Sequence, residues 1–148
     1  MKIKKVFIHC SATTPDMNTT VEDIEKWHKK KGWSGIGYHW YISRDGVIHA
    51  GRDTDGDGNN ENDMGAHAYG FNRDSLGVCL EGGLDDDLKP SGDYTDAQWS
   101  ALKLLIIDIS GRHGLNLSDF YGHNDVDKHK DCPCFDVKQK LKGLFHED

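Results

Sequence analysis

The stretch Lys4-Lys5-Val6-Phe7-Ile8-His9 places three consecutive apolar side chains between two lysines and a histidine. Such a run, rich in β-branched and aromatic residues, predicts a strand that is buried on both faces. The polar segment from Cys10 to Asn18, which contains Pro15, predicts a loop immediately after it. We therefore expect a first strand over residues 4–9 that ends at His9, where the chain leaves the core.

Further strands and helices alternate along the rest of the chain. Apolar periodicity predicts strands at about residues 38–42, 47–50, 75–81 and 120–123, and helices at about residues 21–31, 96–113 and 136–144. Thr20 begins a capping box before the first helix, and Gly114 follows the last apolar turn of the second. The predicted fold class is α/β: a single domain over residues 1–148, with a central mixed β-sheet flanked by helices on both faces.

Apolar residues recur at helical spacing in the two longer predicted helices. In the first helix, Val21, Ile24 and Trp27 share one face, and Trp99 lies on the apolar face of the second. Such stripes usually pack against a core. We therefore expect Trp27 and Trp99 to be core residues.

Composition and charge exclude several functional classes. The 148 residues carry 25 acidic and 18 basic side chains, a net charge of −7, so no basic surface for nucleic acid is expected. No stretch approaches the roughly 20 apolar residues of a membrane span. The apolar run Val6-Phe7-Ile8 is too short for a signal peptide. We expect a monomer that is made in the cytosol, does not insert into membranes and reaches an external target by release or export.

Three residues near strand ends have the side chains of a metal site. His9 ends the first predicted strand, His123 ends the fifth, and Cys132 follows in the next loop. Two imidazoles and one thiolate can bind Zn²⁺ and leave a fourth position for water. On pattern alone these residues indicate a metal hydrolase. An ordinary role for each histidine, and a redox or metal role for Cys132 together with Cys134, remain open.

Short motifs along most of the chain resemble those of one family. They are Phe7-Ile8-His9-Cys10-Ser11-Ala12-Thr13, Gly37-Tyr38-His39-Trp40-Tyr41-Ile42, Arg44-Asp45-Gly46, Gly65-Ala66-His67-Ala68, Asn72-Arg73-Asp74-Ser75-Leu76-Gly77-Val78-Cys79-Leu80, Tyr94-Thr95-Asp96-Ala97-Gln98, Gly122-His123 and Lys130-Asp131-Cys132-Pro133. In this order they resemble the type 2 N-acetylmuramoyl-L-alanine amidases, which include small phage lysozymes, bacterial recycling amidases and animal peptidoglycan recognition proteins. The resemblance is strongest to the phage lysozymes.

The resemblance implies an amidase-like fold and a zinc enzyme that hydrolyses the amide bond between N-acetylmuramic acid and L-alanine. Peptidoglycan or a muropeptide would be the substrate, and a phage or prophage endolysin is the implied role. The matching positions are zinc ligands at His9, His123 and Cys132, catalytic residues at Tyr38 and Lys130, and a substrate-groove histidine at His67. Trp33 and Tyr69, in predicted loops, are candidates for contacts with the glycan or the stem peptide.

The sequence departs from the family pattern at particular positions. The segment between His123 and Cys132 is one residue longer than in the phage enzymes, and the extra residue precedes Lys130. The recycling branch carries a catalytic Glu and an Asp ligand where this chain has Cys79 and Cys132. At these positions the chain therefore resembles the phage and recognition-protein branch. Glu81 is out of register with that Glu and is expected to be structural.

The acidic segment Asp53-Thr54-Asp55-Gly56-Asp57-Gly58 looks like an insertion in the family pattern. Its D-x-D-x-D-G spacing is that of a calcium loop, with aspartate oxygens as ligands and a sharp turn at Gly58. Met64 stands where such loops carry their final Glu. The segment is therefore either a calcium site or a solvated acidic loop.

Two functions from other classes compete with catalysis. The first is a peptidoglycan-binding or regulatory protein without activity, and the retained Cys132 argues against it because inactive recognition proteins typically lose this ligand. Some phage relatives also inhibit an RNA polymerase, and no surface for that role can be identified in the sequence. The second is a thiol redox protein that uses Cys132 and Cys134, which the lack of a C-x-x-C motif disfavours.

Overall fold

A five-stranded sheet forms the centre of the molecule. The structure is a computed structural model and describes residues 2–146. The strands are β1 (Lys5–Cys10), β2 (Trp40–Ile42), β3 (Ile48–Ala50), β4 (Ser75–Leu80) and β5 (Phe120–Gly122). Their order across the sheet is β3-β2-β4-β1-β5; β2, β4, β1 and β5 are parallel, and β3 pairs with β2 in the antiparallel direction. The predicted mixed sheet is confirmed.

Helices follow the sequence signals at their ends. They are α1 (Val21–Lys30), α2 (Asp96–His113), α3 (His123–Val126) and α4 (Val137–Phe145). The Thr20 side chain accepts a hydrogen bond from the Asp23 N–H at the start of α1, and Thr95 caps α2 in the same way. Gly114 ends α2 in the left-handed conformation, with a φ of 68°. Within residues 2–146, none of these helices has the length and apolar character needed to cross a membrane.

Side chains of β1 alternate between two cores. Val6 and Ile8 belong to the larger core, which α2 and α4 close. Successive side chains of a strand point to opposite faces, so His9 lies on the other side of the sheet. On that side α1 packs through Ile24 against Cys79 of β4. Helices therefore cover both faces, as predicted, and His9 shares its face with α1.

The prediction that Trp27 belongs to the core is wrong. Its side chain is 41% exposed, whereas the buried positions of α1 are Ile24 and His28. At about 100° per residue, position 27 lies roughly 60° around the helix axis from position 24. Trp27 therefore stands at the border of the buried stripe. Trp99 is half-buried and packs against the larger core.

The long polar loop after β3 contains structure that local periodicity did not predict. Residues Asn60–Asn62 form one 3₁₀ turn. The buried Glu61 carboxylate accepts hydrogen bonds from Trp40 Nε1 and from both Arg112 and His113 of α2. These partners lie between 21 and 52 residues away in the sequence. Long-range ion pairs thus fasten the loop to α2.

Candidate metal centre and substrate groove

His9, His123 and Cys132 come together at one edge of the sheet. β1 and β5 are neighbouring parallel strands, so their carboxyl ends lie side by side. His9 is the penultimate residue of β1, and His123 directly follows β5. The next loop returns to this edge, where the Asn124 N–H donates to the Cys132 carbonyl at 2.8 Å. One nitrogen of each imidazole and the Cys132 sulfur all lie within 4.8 Å of one another.

Hydrogen bonds orient the ring of His9. Its Nδ1 lies 3.8 Å from Cys132 Sγ, and its Nε2 lies 3.0 Å from Nδ1 of His67. The Cys132 sulfur also accepts the backbone N–H of Cys10 at 3.1 Å. When Nε2 carries the proton and donates to His67, the lone pair of Nδ1 faces the cysteine. His67 is therefore placed to fix the tautomer and the orientation of His9.

The three side chains fit a zinc ion. Burial, and then the neighbouring His67 imidazole, holds the pKa of His9 well below its usual value. Burial, and then the charge of Lys130, lowers the pKa of His123. Both imidazoles are therefore in the neutral form that binds a metal. Two zinc ligands with bonds of about 2.1 and 2.3 Å lie about 3.6 Å apart in a tetrahedron, close to the 3.8 Å between His9 Nδ1 and Cys132 Sγ.

Tyr38 and Lys130 lie beside these residues. The ring of Tyr38, just before β2, has its centroid 5.1 Å from that of His9. Burial raises the pKa of Tyr38 well above its usual value, so the hydroxyl stays protonated and can donate a hydrogen bond. Lys130 is exposed and lines the same groove as His123. Tyr38 thus offers a neutral hydrogen-bond donor next to His9, and Lys130 lines the groove that His123 also lines.

A groove of about 900 Å³ opens beside the three candidate ligands. Its aromatic lining comes from Tyr38 and from Trp27, Trp33 and Tyr69, and Tyr69 is fully exposed. His67 also reaches the groove, although its side chain is 7% exposed. Sequence reasoning identified Trp33 and Tyr69 through their loop positions but assigned Trp27 to the core. A concave surface of this size is typical of a small-molecule or peptide site.

Two further polar residues make structural contacts, and for Glu81 this was the expected role. His39 is fully buried, with Nε2 at 2.7 Å from the Asp63 carbonyl, and its Nδ1 accepts the Gly77 N–H at 3.0 Å. Glu81 is 5% exposed and accepts the backbone N–H groups of Thr19 and Arg44. Their hydrogen bonds join the residues that flank β2 and β4 to nearby segments of the chain.

A second group of possible metal ligands lies outside the residues that line the groove. One carboxylate oxygen from each of four aspartates lies within 4.8 Å of the others; these are Asp53, Asp55, Asp57 and Asp63. The structure therefore brings together the three aspartates of the predicted calcium loop and adds Asp63. Exposed acidic groups also cluster without an ion, so calcium binding stays a prediction.

Comparisons with known proteins match most of this chain to one family. The family model described as N-acetylmuramoyl-L-alanine amidase matches residues 1–135. The endolysin of Enterobacteria phage T3 is 42% identical over 134 residues, which cover 90% of this chain and 82% of the relative. The endolysin of Escherichia phage T7 is 42% identical over 135 residues, with the same coverage of both chains.

Two solved structures are similar to this chain. The endolysin amidase LysCS of Clostridium intestinale has a TM-score of 0.76 and 30% identity, with 95% of this chain and 84% of that chain covered. Drosophila PGRP-LB, at 23% identity and a TM-score of 0.73 over 99% of this chain and 84% of that chain, shares the fold. Fold, groove and relatives define a cell-wall hydrolase. The chain belongs to the N-acetylmuramoyl-L-alanine amidase family.

Proposed function

We propose that this chain is a zinc-dependent amidase of endolysin type, which cuts the bond between N-acetylmuramic acid and L-alanine in peptidoglycan. The observation that carries the zinc assignment is the approach of His9, His123 and Cys132 to within 4.8 Å beside an open groove. The 42% identity to two phage endolysins supports the lytic role. The protein would act as a monomer on the cell wall, after release or export.

The three candidate ligands have distinct supporting contacts. A bound Zn²⁺ supplies a Lewis acid that polarises the scissile carbonyl and lowers the pKa of a water molecule. His67 keeps His9 in the tautomer whose Nδ1 faces Cys132, through the hydrogen bond at Nε2. The Cys10 N–H stabilises the negative charge of the Cys132 thiolate.

Tyr38 and Lys130 act on the reacting amide. As the carbonyl carbon becomes tetrahedral, negative charge grows on its oxygen. The Tyr38 hydroxyl and the Lys130 ammonium stabilise this charge, which is the function of an oxyanion hole. Both groups also carry a proton, so they are the two candidates for protonating the leaving nitrogen of L-alanine.

The residues that line the groove suit the proposed substrate. Trp27, Trp33 and Tyr69 present exposed aromatic surface that suits sugar rings and the apolar edges of a stem peptide. His67 presents an imidazole edge to the groove at the point where it also contacts His9. A muropeptide that lies along these residues brings its amide bond to the candidate metal centre.

A cleavage assay with defined muropeptides tests the proposal. The purified protein is incubated under reducing conditions with zinc or with a chelator, and the products are identified by mass spectrometry. We expect a free stem peptide that begins with L-alanine, lost with the chelator and restored by zinc. Cys132→Ser should lose both bound zinc and cleavage, whereas Cys134→Ser serves as the matched control and should retain both.

Other outcomes would assign the chain differently. One bound zinc per chain without cleavage would reject catalysis and favour a peptidoglycan-binding protein. Cleavage that persists in a Cys132→Ser variant free of metal would reject the proposed ligand set.

A further inference from the structure

Three of the four cysteines lie beside the candidate metal centre. Cys10 ends β1, and Cys132 and Cys134 lie in the loop that packs on the same core. Cys79 belongs to the core on the other face of the sheet, with α1. All four side chains are free thiols in this structure.

Contacts place Cys10 between the other two thiols. Its side chain interacts with those of both Cys132 and Cys134. The Cys132 sulfur lies 3.1 Å from the Cys10 backbone nitrogen, and the Cys134 thiol donates to the Gly83 carbonyl at 3.2 Å. A Cβ atom at Gly83 would come within 2.5 Å of the Cys10 sulfur. The glycine therefore makes room for the Cys10 sulfur next to Cys134.

Only one of the three thiols belongs to the ligand set. Cys132 lies within 4.8 Å of a nitrogen of both His9 and His123, and neither Cys10 nor Cys134 joins that group among the described residues. A disulfide between Cys10 and Cys134 would leave all three candidate ligands available. A disulfide between Cys10 and Cys132 would remove one of them.

We propose that Cys10 and Cys134 form an oxidation site that transfers an oxidising equivalent away from Cys132. The inference rests on the proposed role of Cys132 as a metal ligand. The oxidant is a peroxide, and the product is a Cys10–Cys134 disulfide. Because Cys132 is left as a free thiol, the metal centre can bind zinc again without a reductant.

The reaction proceeds in three balanced steps. The Cys132 thiolate attacks one oxygen of hydrogen peroxide, which gives a sulfenic acid and hydroxide. The Cys10 thiol then displaces the sulfenic hydroxyl as water and forms a disulfide with Cys132. The Cys134 thiol attacks the Cys10 sulfur, and Cys132 leaves as a thiol. The hydroxide from the first step takes the proton of the released Cys132 thiol. In total two thiols are oxidised, one peroxide is reduced to two waters, and Cys132 ends as the thiolate that began the reaction.

Peroxide treatment followed by zinc addition tests the inference. Wild type and Cys134→Ser are treated with one equivalent of hydrogen peroxide and then supplied with zinc in the absence of reductant. Zinc per chain is measured by elemental analysis, and disulfides are mapped by mass spectrometry of non-reduced peptides. We expect a Cys10–Cys134 disulfide and nearly full zinc content in wild type. Cys134→Ser should show a Cys10–Cys132 disulfide and bind zinc again only after dithiothreitol.

The controls separate this inference from the metal assignment. Cys134→Ser keeps a hydroxyl that can donate to Gly83, and Cys134→Ala replaces it if the serine variant does not fold. Cys79→Ala, on the other sheet face, should give the wild-type disulfide. A Cys10–Cys132 disulfide or a Cys132 sulfinic acid in wild type, with zinc lost as in Cys134→Ser, would overturn the inference. Reduced wild type that binds no zinc would instead reject the proposed ligand set.

Discussion

At the scale of single residues, Tyr38 combines a protonated hydroxyl with a ring that packs near His9. Burial keeps its hydroxyl protonated, and its ring packs 5.1 Å from that of His9. The proposed role of Tyr38 can therefore be tested separately from metal binding, because the hydroxyl can be removed while the ring remains.

We expect Tyr38→Phe to lower kcat by about 10²-fold or more, the usual loss when one oxyanion donor is removed. Zinc content should not change, since the ring still packs against His9. Tyr121→Phe is the matched control, because Tyr121 lies on β5 beside Phe7 and outside the groove lining. An equal loss of zinc and activity in Tyr38→Phe would show that the residue is structural.

His28 gives a pH dependence to stability. It is 8% exposed and its Nδ1 accepts the Gly37 N–H at 2.8 Å. Burial, and then the charge of Lys31, lowers its pKa to about 4. The unfolded chain, with a histidine pKa of about 6.5, binds the proton first as pH falls. Stability supplied by neutral His28 is therefore complete above about pH 6.5 and is lost as pH falls toward 4.

The substitution His28→Asn tests this dependence, since the asparagine oxygen can accept the same N–H but does not titrate. Between pH 6.5 and 4, wild type should lose up to about 1.4 kcal/mol per pH unit more than the variant. Urea unfolding in the presence of a chelator measures the difference and excludes metal loss as its cause. Parallel curves for the two proteins would contradict the assignment.

Single residues also show where sequence reasoning reaches its limit. His9 and His123 could be selected because predicted strands end there, and Cys132 because it follows His123 in the next loop. Trp27 could not be placed, because an apolar residue at the border of a helical stripe can face either a core or a groove. The hydrogen bond between His9 and His67 joins residues 58 positions apart, which no local pattern contains.

At the scale of elements, the loop after β3 depends on one carboxylate. Burial alone would raise the pKa of Glu61, but hydrogen bonds from Arg112 and then His113 overcome it and lower the pKa to about 2. Stability from this ionised group is present above the unfolded pKa of about 4.5 and is lost as pH falls toward 2. The loop is therefore most firmly held at neutral pH.

We expect Glu61→Gln to lower the free energy of unfolding at neutral pH by about 2 kcal/mol, because Arg112, whose own side chain is 40% exposed, and His113 would lose hydrogen bonds to an ionised partner. Hydrogen exchange in residues 51–66 should accelerate at the same time. Asp108→Asn is the matched control: its carboxylate binds the same Arg112 from an exposed position, so its loss should cost less than about 1 kcal/mol. Equal effects of the two substitutions would argue against a buried ion pair.

The aspartate loop has a separate test. If calcium binds between Asp53, Asp55, Asp57 and Asp63, millimolar calcium should raise the melting temperature of wild type because the ion binds the folded chain. Asp55→Asn should reduce this rise, whereas Asp86→Asn, in another acidic loop, should leave it unchanged. The same melting temperature with calcium and with chelator would reject calcium binding and favour a solvated acidic loop.

Element limits were predictable where a local chemical signal exists. The capping boxes at Thr20 and Thr95 and the left-handed Gly114 mark the ends of α1 and α2 in the sequence itself. The helix α3 has four residues and no periodicity that could reveal it. The 3₁₀ turn at Asn60–Asn62 depends on partners in β2 and α2, so it appears only once the fold is known.

At the scale of the whole molecule, the candidate metal centre lies where parts of the chain that are far apart in the sequence meet. Its candidate ligands come from β1, from the residue after β5 and from the following loop. A bound ion would therefore stabilise the fold as well as supply chemistry, since the unfolded chain has no such site.

We expect zinc at about a thousand times its dissociation constant to stabilise wild type by about 4 kcal/mol, or roughly 10 °C in melting temperature. Differential scanning calorimetry with zinc and with chelator measures the shift. Cys132→Ser should show little or no shift. A similar rise in both proteins would indicate that zinc binds elsewhere.

The position of β1 also has a consequence for how the protein is made. β1 lies between β4 and β5, so its hydrogen-bonding partners are synthesised long after it. His9 and Cys132 are 123 residues apart in the sequence. Contacts of such separation make folding slow, because a long loop must close before they form. A nascent chain on the ribosome therefore carries no complete set of candidate ligands until Cys132 has emerged, so any activity that needs this set can begin only after nearly the whole chain has been made.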